Sequence, residues 1–326
     1  MIEINTKKEH FIPRCYLKNF SSSGYMNKCV KKSENQVLVY NKLKKNKYVS
    51  RIYDIACENY FYDLDNVDNI EEKLIIEKAL GEIESGFSNL LDKFIRICDN
   101  KENINSALIT KRSEREKFAY YIVIQLLRTK KFREIQKNFY QKMLDQRLTF
   151  YKLFRKNYFG EDINLSAGDI LINGKTIHLE RLFDDELIDE MSLFILDSYW
   201  TFIYNDTLVP FIISDNPVCR IPILDNYGIN NEMELSSFMS NSLEINFPLN
   251  NKISLHIYRN KSIFYKQFGK ALNNRLILVG KEDLIHDMNK YQCIMADERV
   301  FFRCKDDSLI DLYFNESVTN KKYSIF

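Results

Sequence analysis

Apolar positions along the chain switch between two periods. In Gln36-Val37-Leu38-Val39-Tyr40 and Tyr48-Val49-Ser50-Arg51-Ile52, apolar and polar residues alternate on either side of a Lys- and Asn-rich turn. That pattern predicts a β-hairpin. Asn69 can then cap a helix whose apolar residues Leu80, Ile83, Phe87, Leu90, Leu91 and Phe94 recur every three or four positions as far as about Cys98. A second helical stretch is predicted over about 111–158, broken once. The segments 170–172 and 176–179 flank Asn173-Gly174, a strong short-range hairpin signal, and 184–198 reads as a helix. Short antiparallel strands are predicted at 199–204, 209–214, 243–248, 252–258 and 262–265. A helix over about 272–289 and a strand pair, 291–295 with 300–304, follow. No repeat, heptad or Pro/Gly linker divides these elements. The expectation is one intertwined α+β domain over 1–326, mainly antiparallel sheet, with a long helical insertion at about 69–158.

Composition changes this picture little. With 326 residues, 45% apolar and 13% aromatic, the chain can close a large core. It begins Met1-Ile2-Glu3-Ile4-Asn5, without the apolar run of a secretory signal, and no stretch approaches about 18 uninterrupted apolar residues. A soluble cytoplasmic protein with no membrane partner is expected. Seven cysteines form no C-x-x-C pair, which points to reduced, mostly buried thiols.

Charge adds more. Residues 1–53 carry 12 Lys and Arg against 3 Asp and Glu, and 110–160 carry 14 against 4, while 54–100 and 161–199 are acidic. The segments can neutralise one another as they pack. They can also form a basic cleft for nucleic acid or a nucleotide, built from Lys28, Lys31, Lys32, Lys42, Lys44, Lys45 and Lys47 with the run from Arg128 to Lys137.

Candidate chemistry sits in three places. His10-Phe11-Ile12-Pro13 sets a proton-handling ring beside a proline-fixed turn, and Ser214-Asp215-Asn216-Pro217 sets a carboxylate at the end of the apolar run Phe211-Ile212-Ile213. The third is the helix around Ile122, apolar on every side, in which Gln125 and Arg128 share a face. If buried, the guanidinium must find an acceptor, and Asp215 is the candidate; the alternative is that Arg128 begins the exposed end of the helix and reaches outward, as Lys130, Lys131 and Arg133 are expected to do. Glu58 is a further acidic candidate. His178, His256 and His286 show no zinc spacing and read as structural, the first two in strands and the third in a helix. Nucleotide-binding glycine loops and the α/β-hydrolase elbow are all missing.

At His10-Phe11-Ile12-Pro13-Arg14-Cys15-Tyr16-Leu17-Lys18-Asn19-Phe20 the chain resembles a bacterial family known as domain of unknown function number four-two-three-eight. Its pattern, H-x-x-P-x-x-x-L-x-x-F, Q-x-x-R on a middle helix, S-D-x-P after a strand and an asparagine opening a late helix, falls on His10, Pro13, Leu17 and Phe20; on Gln125 and Arg128; on Ser214, Asp215 and Pro217; and on Asn273 or Asn274. The similarity spans about residues 8–290. Arg14 stands where the resemblance implies a more neutral residue. The family implies no activity.

Two functions are expected from these residues. In the first, a hydrolase acting on a phosphate-containing substrate, His10 is the general base, Asp215 orients it or holds a divalent metal, and Arg128 neutralises phosphate charge. Gln125, Asn216, Asn273, Asn274 and Arg14 position the ligand, with Glu58 as an added acid. In the second, the same cluster binds an anion or nucleic acid without turnover, or ties the helical insertion to the sheet.

Overall fold

The computed structural model describes residues 8–21, 35–62, 70–108, 111–170, 172–222, 243–259 and 268–314. Its order begins with β1 (Lys8–His10), α1 (Arg14–Leu17), the hairpin β2 (Gln36–Asn41) and β3 (Asn46–Arg51), and β4 (Cys57–Asn59). A helical insertion follows: α2 (Ile70–Asp99), α3 (Arg112–Leu127), α4 (Lys130–Phe159), α5 (Gly174–Leu182) and α6 (Asp185–Leu196). Then come β5 (Ser198–Asn205), β6 (Ile213–Ser214), β7 (Cys219–Pro222), β8 (Leu243–Pro248), β9 (Ile253–Arg259), α7 (Phe268–Leu272), β10 (Arg275–Val279), α8 (Glu282–Met295), β11 (Arg299–Phe302) and α9 (Asp307–Phe314). This is an α+β fold with mostly antiparallel sheets. The five-stranded sheet runs β10-β5-β9-β8-β7, the four-stranded one β3-β2-β11-β6, and β1 pairs with β4. Only β10 and β5 pair in parallel among these strands.

The helical stretch breaks where a cap is available. Arg128 ends α3, and the Thr129 hydroxyl accepts from the Phe132 amide 3.2 Å away, opening α4 at an angle to it. Asp184 caps α6 through the Leu187 amide at 3.0 Å. The predicted hairpin at 170–179 is not formed. The Asn173 side chain accepts from Lys175 and Thr176 amides, so the Asn-Gly pair starts α5 instead of turning a hairpin, and His178 lies on a helix. Residues 291–295 are the end of α8 rather than a strand, and the predicted helix over 272–289 is divided into α7, β10 and α8. Asn69, the 262–265 strand and Lys28, Lys31 and Lys32 of the expected basic cleft lie outside the described residues.

Strand alternation sends Trp200 and Phe202 of β5 toward the helices, where Phe202 meets Phe94 of α2 (centroids 5.9 Å apart) and Trp200 meets Phe118 of α3 (6.1 Å). The N-terminal motif is wedged between these layers. Tyr16 stacks on Phe247 of β8 at 5.2 Å, its hydroxyl donates to the Pro248 carbonyl at 2.5 Å, and its other side approaches Phe87 of α2. Leu17 and Phe20 are buried beside it. Residues 8–20 therefore join sheet to helices before any chemistry is considered. Cys98, Cys219 and Cys293 are buried free thiols, with Cys15, Cys57 and Cys304 half-buried.

Candidate functional site

The N-terminal motif and the Gln-x-x-Arg helix converge on one half-open cleft. Pro13, residues of α2 including Glu84 and Phe87, and Tyr121, Ile124, Gln125 and Arg128 line about 210 Å³ of empty space, part of it open to solvent. Its enclosed floor has room for about one water molecule.

Arg128 is the buried cation at the floor. Its guanidinium donates to the His10 carbonyl at 2.5 Å, to Glu84 Oε1 at 2.8 Å and to the Tyr62 hydroxyl at 3.3 Å. The carboxylate and phenol beside it hold it firmly protonated against the pull of burial. Its partner is thus Glu84, not Asp215. Glu84 was legible in principle: it stands on the buried stripe Leu80, Phe87, Leu91 of α2 at i+4 from Leu80, where a charge demands a partner.

Gln125 donates to the Phe11 carbonyl at 3.2 Å, fixing the loop before Pro13, while its own carbonyl oxygen is buried without a hydrogen-bond partner. His10 is tied down by its main chain. Burial, then the nearby Arg14 charge, lowers its imidazole to about 4, so the ring is neutral near pH 7, and Nε2 is buried and unpartnered. Arg14 itself lies outside the cleft, its guanidinium 4.6 Å from the centre of the Tyr53 ring.

The other candidates sit elsewhere and have different work. Both oxygens of the buried Asp215 accept backbone amides: Asp297 to one oxygen, Glu298 and Arg299 to the other, each at 2.8 Å. Burial pushes this carboxyl up to about 6, with the amide donors pulling it back. Lys42 clamps the same turn from the opposite side, donating to the carbonyls of Cys293 at 2.8 Å and Ala296 at 2.9 Å. Asn216 donates to the Met295 carbonyl at 3.2 Å. Residues that the motif reading missed hold it from α8: Asn289 bonds the main chain at Pro210 and Ile212, and Gln292 bonds it at Ser214 and Pro217. Their spacing, i and i+3 on one helix, was the available signal. The Ser-Asp-Asn-Pro segment is a backbone-locking device, which corrects its expected role as partner of Arg128.

Glu58 is corrected too. In the β1–β4 register Glu58 faces Glu9 and Cys57 faces His10, so side-chain alternation turns Glu58 away from the imidazole. It pairs with Lys130 at 3.1 Å, and Lys130 reaches Glu298 at 2.8 Å. Asn273 and Asn274 are edge-strand fasteners and not helix openers. The Asn273 side chain accepts from the Trp200 amide at 3.0 Å, and Asn274, at φ +62°, donates its amide to the Trp200 carbonyl at 2.5 Å. His178 donates from Nε2 to the Leu127 carbonyl at 2.8 Å and accepts Arg133 at Nδ1. Among the described residues no three His, Cys, Asp or Glu side chains gather as a metal ion requires. No helix there is long and apolar enough to cross a membrane.

A family model, that of a protein of unknown function (DUF4238), matches residues 8–306. The chain belongs to this family. No curated protein and no solved structure shows significant similarity to it. In this DUF4238 chain Pro13 of the first motif group lines the cleft with Gln125 and Arg128 of the second, while the third locks the four-stranded sheet to α8.

Proposed function

We propose that the chain is a non-catalytic binding module whose cleft between the N-terminal motif, α2 and α3 receives the polar end of a small ligand. The observation that carries this reading is Gln125, which lines the cleft and holds a buried carbonyl oxygen without a donor. An orphaned acceptor in the interior costs about 1–3 kcal/mol, which a ligand N–H or O–H would recover. Glu84, partly exposed beside it, offers a second acceptor. Because Glu84 already neutralises Arg128, the cleft favours a ligand presenting donors, such as an amine, amide, hydroxyl or nucleobase edge, over a bare phosphate.

The test is thermal denaturation with nucleosides, nucleotides, amino acids, polyamines and inorganic phosphate. A true ligand at 100 times its Kd adds about 2.7 kcal/mol of stability, and Gln125→Leu should abolish that gain while leaving the protein folded. No stabilisation by any donor-bearing compound, or stabilisation that survives Gln125→Leu, refutes the reading.

Hydrolysis of a phosphate-containing substrate is the second reading, favoured by the neutral, unpartnered Nε2 of His10. It ranks lower because an imidazole titrating near 4 is a weak proton acceptor at neutral pH. Cleavage of labelled DNA and RNA with Mg²⁺ or Mn²⁺, compared between wild type and His10→Ala, decides it.

A further inference from the structure

Helix α4 carries one straight stripe along its length, and among the described residues the body covers only the first half. Phe132 and Gln136 are buried, and Tyr140 and Met143 are half-buried. Arg147, Tyr151, Phe154 and Tyr158 continue the stripe as exposed residues, at 47%, 42% and 75% exposure for the three aromatics. The steps along this stripe are 4, 4, 3, 4, 4, 3 and 4 residues, a period of about 3.67 that keeps all eight on one side of an α-helix. Phe150, 73% exposed, flanks the open half.

The side of α4 that the fold buries is therefore the side that overhangs it. At about 1.5 Å per residue the overhang from Arg147 to Phe159 is about 20 Å long, and its aromatic face has about 500 Å² to offer. Because this face looks back along the wall of the body, a bilayer or a long duplex laid against it would meet the body first. A slender partner of matching shape fits.

The charges identify that partner. Gly160, at φ +66°, ends the helix, and Glu161 and Asp162 follow, contacting Arg155 and Lys156 in exposed ion pairs. In an antiparallel pair of α4 helices centred on Phe154, Phe150 of each copy stands across from Tyr158 of the other, and Arg147 lies level with the other copy's acidic turn at Glu161 and Asp162. We propose that this face is the contact between two copies of the chain, related by a two-fold axis near Phe154. About 1,000 Å² buried in total lies at the lower edge of stable interfaces, so the dimer is weak and depends on concentration.

Sedimentation velocity of the full chain from about 2 to about 200 µM tests this. A dimer should appear as concentration rises and should vanish in Phe154→Asp, which sets like charges against each other on the axis, with only a small change in melting temperature, since Phe154 packs only on Tyr158 and Phe159 of its own helix among the ring contacts of the described residues. Arg147→Glu should weaken association about tenfold, and Arg147→Glu with Glu161→Arg should restore it. A wild type that remains monomeric at the highest concentration, or a dimer indifferent to Phe154→Asp, overturns the proposal.

Discussion

Arg128 grips His10 by its main-chain carbonyl, at 2.5 Å, and not by its ring. The imidazole is left without a carboxylate, and the guanidinium spends its remaining contacts on Glu84 and Tyr62. Two residues of one motif set are thus joined through backbone geometry, which fixes the chain before Pro13 against the floor of the cleft, while burial keeps the side chain of His10 neutral.

The Arg128–Glu84 pair should behave as a coupled unit. Removing one partner leaves the other uncompensated at a largely buried position, so Glu84→Ala should cost about 3 kcal/mol. Arg128→Met with Glu84→Met should cost less than the sum of the two single changes. Urea denaturation of all four proteins measures the coupling, and strict additivity would contradict the pairing.

Asp215 and Lys42 should act on the same turn. Asp215→Ala strips three backbone amides of their acceptor and should destabilise by about 3 kcal/mol or more. Lys42→Met should cost about 1–2 kcal/mol by freeing the carbonyls at the end of α8. In Asp215→Ala the amides of 297–299 should exchange hydrogen much faster than in wild type, while those of α3 should not.

Acid should weaken the fold through its histidines. His10, lowered to about 4 when folded, binds its proton more readily unfolded, so its contribution is present above about pH 6.5 and is lost as pH falls toward 4. Asp215 has the opposite sign: its raised pKa of about 6 means stability is lost as pH rises from about 4 to about 6. In pH titrations of unfolding free energy, His10→Gln should therefore lose acid stability less steeply than wild type. Asp215→Asn should lose it more steeply between pH 6 and 4.

Gly86 lets α2 and α3 approach. A Cβ there would lie 2.1 Å from the Tyr121 hydroxyl oxygen. Gly86→Ala should lower stability by about 1–3 kcal/mol, and adding Tyr121→Phe should recover most of it, because the offending atom is gone. Thermal melts of the single and double variants check both halves.

The helices α2 and α6 and the β2–β3 hairpin were legible because each carries its period locally, and α3, β5, β8 and β9 because they are apolar runs bounded by polar or turn residues. The 170–179 segment misled because Asn-Gly serves a hairpin turn and a helix start alike, and only the packing of His178 and Leu179 selects the second. The motif residues were legible as important, but their roles were not. A carboxylate beside a proline looks the same in sequence whether it faces a ligand or, like Asp215, three backbone amides.

What the sequence by itself determined was the class of fold; it marked Gln125 and Arg128 as polar residues on a helix apolar on every side, but left open whether Arg128 is buried or reaches outward from the helix end. The tertiary structure alone decided which acceptor meets the guanidinium, which candidates share a cleft and where, among the described residues, α4 leaves the body. Those facts depend on contacts between segments tens to hundreds of residues apart, such as 44 between Glu84 and Arg128 and 118 between His10 and Arg128. Periodicity reports which side of an element is buried, but carries no information about what lies against it.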